Sequence, residues 1–96
     1  MLILVTYDVS TKTAEGERRL RRVAQVCQDF GQRVQKSVFE CIVNAVELEL
    51  LKFKLQHEMS QEEDSVRIYR LREPRGRYLQ IMGRQPTYDL REPLVL

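Results

Sequence analysis

Apolar, β-branched and aromatic residues fill positions 2–7 without a break (Leu2, Ile3, Leu4, Val5, Thr6, Tyr7) and Asp8 ends the run. Such a run predicts a buried strand with a carboxylate at its mouth. The period then changes. Leu20, Val23, Ala24, Cys27 and Phe30 recur at helical spacing, preceded by possible caps in 10–13 and by Glu15 and Glu17 near the N-terminus, and Gly31 marks the expected stop. Residues 33–43 have strand composition, as one bent strand or as two strands reversing near Lys36 and Ser37. Asn44 and Glu47 have the spacing of a capping box. They open a second helix whose Val46, Leu48, Leu50, Leu51, Phe53, Leu55 and Met59 predict a broad apolar face. Asp64 and Ser65 turn the chain into a further strand over 66–71.

The order is βα, one or two strands, then αβ. Two central strands make it the split βαβ or ferredoxin-like arrangement, an α+β fold with a four-stranded antiparallel sheet and both helices on one face. Pro74 and Gly76 break the chain, and 78–82 reads as a short extra strand. The tail ends in Leu94, Val95 and Leu96, which a small domain does not leave in water. Residues 1–96 therefore form a single domain, with 74–96 a C-terminal extension expected to pack on a sheet edge, its own or a dimer partner's. A chain of 96 residues is near the size where one core only just suffices, so a second copy would add stability.

Charge refines the picture. The net charge is only +2, but twelve of the sixteen basic residues are arginine, whose planar fork suits phosphate. Residues 65–85 hold six arginines against Glu73, whereas 44–64 hold six acids against Lys52 and Lys54. Arg70, Arg72, Arg75 and Arg77 are thus expected to contact nucleic-acid phosphates without reading sequence. Cys27 and Cys41 read as buried apolar residues in a reducing compartment, and a lone His57 excludes a zinc constellation. The opening run is too short for a signal or a membrane span, so the expected location is cytoplasmic.

The end of the first strand (Tyr7, Asp8, Val9), the arginine-rich helix closing at Gly31, and the run from Gly31 through Gln32, Arg33, Val34, Gln35, Lys36, Ser37, Val38 and Phe39 to Glu40 together resemble one family. It is the second core CRISPR-associated protein (Cas-two), the small partner of the spacer-acquisition integrase. The ending around Asp89, Leu90, Pro93 and Leu94 is similar to the type I-C subfamily. The resemblance implies a homodimer with facing sheets and a magnesium (or manganese) ion at Asp8, shared across the two-fold. It further implies metal-dependent endonuclease activity on DNA or RNA, with a CRISPR integrase subunit and duplex DNA as partners. The family motif also places basic residues at Arg22 and Arg33, and Tyr7, Ser37 and Phe39 in its structural stretch.

Each residue has a plainer role beside this. Asp8 suits a helix or turn cap, Arg22 and Arg33 suit intramolecular ion pairs, Ser37 suits backbone bonding at a strand reversal, and Phe39 suits packing. The expected function is a spacer-acquisition endonuclease centred on Asp8. The alternative is a non-catalytic dimeric scaffold holding duplex DNA. A generic RNA-binding module is disfavoured, because the strands lack base-stacking aromatic pairs.

Overall fold

The computed structural model describes residues 1–72 and 79–84. Its elements run β1 (Leu2–Asp8), α1 (Ala14–Phe30), β2 (Gly31–Gln35), β3 (Val38–Ile42), α2 (Ala45–Glu58) and β4 (Ser65–Leu71). The strands form one antiparallel sheet in the order β2-β3-β1-β4, with β1 central. This is the ferredoxin-like α+β arrangement that the pattern predicts.

Alternation along each strand assigns the sheet's two faces. Ile3, Val5 and Tyr7 of β1 and Phe39 and Cys41 of β3 point to the helices and are buried with Val23, Val26 and Cys27 of α1 and Leu51 and Leu55 of α2. The other face carries Leu2, Leu4, Thr6, Asp8, Ile42, Arg67 and Tyr69, of which Ile42 is 67% and Tyr69 44% exposed.

Residues 33–43 resolve into two strands joined by a turn at Lys36 and Ser37, with a bulge between Arg33 and Gln35. The turn is tied to β1. The Tyr7 amide donates to the Ser37 carbonyl at 3.1 Å and the Tyr7 hydroxyl to the Lys36 carbonyl at 3.3 Å. Thr13 is the α1 N-cap, its hydroxyl accepting from the Gly16 amide, and the Asn44–Glu47 capping box of α2 is formed in both directions.

Gly31 ends α1 for a different reason from the one its type suggests. Its backbone is extended, not left-handed (φ −167°), so no glycine is required by conformation. A Cβ there would instead overlap the Glu40 carbonyl and the Cys41 sulfur, so glycine lets α1 turn straight into β2 against β3. The α2 face also differs from expectation: Leu51 and Leu55 are buried, but Val46, Leu50 and Phe53 are exposed. Residues 79–82 form no strand within the chain. Tyr78 and the tail 85–96 lie outside the described residues.

Candidate functional site

Asp8 closes the central strand and is exposed, opposite Ser65 at the start of β4. With Val9, Ser10, Thr11, Lys12 and Glu63 it lines an open depression of about 600 Å³. The neighbouring loop is held from beneath by Asp64, whose side chain is fully buried. One Asp64 carboxylate oxygen accepts from the Ser10 amide at 3.1 Å, the other from the Ser60 amide at 2.8 Å, and Arg19 Nε donates to it at 2.8 Å. Arg19 also reaches Glu63 at 3.2 Å. The loop after Asp8, the first half of α1 and the α2–β4 turn are thereby joined at one carboxylate. Burial raises the Asp64 carboxyl, while Arg19 and the Ser60 and Ser10 amides lower it; the net shift is downward.

The depression offers the Asp8 and Glu63 carboxylates beside Ser10, Thr11 and Lys12. That suits magnesium, which keeps several waters and needs one or two protein carboxylates. Among the described residues no group of three or more His, Cys, Asp or Glu comes together, so a self-sufficient metal cage within one chain is not formed. Asp8, with Glu63 lining the same depression, fits a water-rich magnesium site.

The expected arginines do not converge. Arg22 projects from α1, 60% exposed, with Nη1 3.8 Å from a Glu58 oxygen. Arg33 lies in edge strand β2, its guanidinium carbon 5.1 Å from the Phe39 ring centroid and its Nε buried. Arg70 and Arg72 are exposed at the far end of β4. Arg70 lies five positions after Ser65, about 17 Å along the strand. The β2 and β4 edges are about 14 Å apart across the sheet. Arg75 and Arg77 lie outside the described residues. Ser37 serves the strand reversal through its carbonyl, and Phe39 is fully buried and stacked on Tyr7, with centroids 6.1 Å apart.

The sequence sets Arg67 among the arginines of 65–85 read as phosphate contacts, without separating it from them. It sits opposite Thr6 on the sheet face that carries Asp8, about 7–8 Å away diagonally across β1 and β4, and Nη1 donates to the Tyr69 hydroxyl at 3.0 Å. The strand register would have singled it out. Asp64 and Arg19 were missed as a pair, because they are 45 positions apart and no short motif joins them.

Comparison with known proteins places these features in a wider set. Residues 1–77 match the family model for the CRISPR associated protein Cas2. A Moorella thermoacetica protein named CRISPR-associated endoribonuclease Cas2 1 is 59% identical over the full length of both chains. A Halalkalibacterium halodurans protein named CRISPR-associated endonuclease Cas2 is 48% identical over 99% of each. The crystal structure of Streptococcus pyogenes Cas2 at pH 6.5 superposes with a TM-score of 0.79 at 46% identity, covering 86% of this chain and all of that one.

Proposed function

The chain belongs to the CRISPR-associated Cas2 family, and from that premise we propose that it is a magnesium-dependent endonuclease of CRISPR spacer acquisition, with Asp8 at its centre. The observation that carries this reading is the exposed Asp8 carboxylate on the rigid end of the central strand, above a loop pinned by Asp64. Strand ends hold side chains to the tolerance that phosphodiester chemistry needs. Relatives named as endonuclease and endoribonuclease support the reaction class.

The working form is a homodimer made through the open sheet face, where Leu2, Leu4, Ile42 and Tyr69 present apolar surface. A two-fold axis there would let the Asp8 carboxylates of both chains hold the ion. When bound, magnesium (or manganese) polarises a phosphate oxygen and lowers the pKa of a water. The chain's own residues then bind and orient. The Asp8 carboxylate would hold the ion, and Lys12, in the same depression, would neutralise phosphate beside it. Ser10 and Thr11 shape the depression, and the Arg19–Asp64 pair keeps that loop in place.

The test is cleavage of labelled duplex DNA and single-stranded RNA across a magnesium titration. Asp8→Asn lowers metal-stimulated cleavage by on the order of 10²-fold or more, with folding and dimerisation retained. Equal cleavage by highly purified Asp8→Asn protein would move the chemistry elsewhere.

One observation favours a second reading, a scaffold that holds duplex DNA for the CRISPR integrase subunit. Arg70 and Arg72 are displaced along β4 from Asp8, so holding a polyanion does not require the site that would cut it. Normal DNA binding by Asp8→Asn, with no cleavage by either protein, selects this reading.

A further inference from the structure

Helix α2 is apolar on two opposite sides. Leu51 and Leu55 face the core at 0% and 2% exposure, while Val46, Leu50 and Phe53 stand 77%, 45% and 66% exposed. At 3.6 residues per turn these three fall on one outward line, and exposed His57 continues it. A surface helix ordinarily carries charge there, and single exposed apolar residues need no explanation. Three in register do. Positions 46, 50, 53 and 57 are spaced by four, three and four, the a/d seam of a coiled coil. Glu47 and Lys54 flank it on one side, Glu49 and Gln56 on the other. Lys54 lies beside the seam, its ammonium 5.8 Å from the Phe30 ring centroid.

We propose that this seam packs antiparallel on α2 of a second copy of the chain. The seam matches itself. About a two-fold axis between positions 51 and 52, Leu50 meets the partner's Phe53, Val46 meets the partner's His57, and Glu47 falls beside the partner's Lys54, each contact occurring twice. A parallel pair would stack the two His57 side chains and align two helix dipoles, both unfavourable. The seam is on the helix layer, opposite the open sheet face, so this contact joins dimers into larger assemblies rather than replacing the sheet-mediated one. A 14-residue helix is about 21 Å long. A contact of that length falls below the roughly 1,000 Å² of a stable complex, so the association is weak and depends on concentration.

Sedimentation of the full chain from about 1 to 500 µM tests it, since a contact this small associates only near the top of that range. The expected result is a mass step at high concentration above the low-concentration species. Leu50→Glu removes that step alone, with circular dichroism unchanged. Lys54→Glu sets like charges opposite Glu47 twice and weakens the step about fivefold. Mixed Leu50→Cys and Phe53→Cys chains form an interchain disulfide, while Val46→Cys does not link to itself. The native Cys27 and Cys41 are buried and do not compete. A mass profile without concentration dependence, or one unchanged by Leu50→Glu, overturns the proposal. So does self-linking of Val46→Cys, which would mean parallel helices, and so does intrachain linking of Leu50→Cys to a cysteine placed in 89–96, which would give the seam to the tail.

Discussion

Three segments distant in sequence meet at the Asp64 carboxylate, and its protonation state governs whether they stay joined. Its folded pKa is depressed, so its stabilisation is complete above the ordinary carboxylate range and disappears as pH falls through the folded value. The wild-type melting temperature should therefore fall below about pH 4, and Asp64→Asn should flatten that fall. Asp64→Ala, which strands the Ser10 and Ser60 amides and Arg19, should cost about 2–4 kcal/mol by denaturant melts. An unchanged midpoint would mean that water replaces the carboxylate. Little of this is legible in the sequence, where Asp64 looks like the last of three acids before a strand. Asp8 is legible because an apolar strand frames it; a buried acid among surface acids has no such frame. The cysteines, in contrast, are readable from their apolar neighbours. Burial pushes both thiols up to about 12, first by desolvation, aided at Cys27 by Cys41 and at Cys41 by Glu40. Alkylation should require denaturant.

At the scale of elements, local signals locate helices and strands, and long-range contacts settle the rest. The Asn44–Glu47 box works as its spacing predicts, since a cap is built within four residues, and Thr13 is the candidate in 10–13 that caps α1. Asn44→Ala should cost about 1 kcal/mol, measured by thermal or urea melts. The 33–43 stretch could not be divided from its own pattern, because what fixes the turn is Tyr7, 29 positions from Lys36. Gly31 similarly looks like a left-handed stop, but its need for a hydrogen side chain comes from β3. Gly31→Ala should thus destabilise by about 1–3 kcal/mol through overpacking, and a left-handed conformation would be rescued by asparagine whereas this site would not be. The apolar residues of α2 merge into one face when read by count. Only the packed structure separates the core stripe from the outward one.

At the scale of the molecule, the described arginines differ in availability. Arg19 is consumed by Asp64 and Arg22 leans toward Glu58, while the described arginines of β4 remain exposed apart from the Arg67–Tyr69 contact. An exposed pair such as Arg22 with Glu58 is weak, and a phosphate can compete for either partner. A residue whose charge is already opposed inside the fold releases fewer counterions on binding than one that is not. The log–log dependence of duplex affinity on salt should therefore distinguish them. Alanine at both Arg70 and Arg72 should shallow the slope by about 1.8, at about 0.9 per lost phosphate contact, whereas Arg22→Ala should shallow it by clearly less than about 0.9. Asp8→Asn removes a negative charge and should leave the slope no shallower than wild type. If the Arg70 and Arg72 double variant keeps the wild-type slope, the exposed end of β4 does not carry the phosphate contacts. The binding surface would then lie nearer Asp8, with Lys12 as its cation, and holding and cutting would share one site.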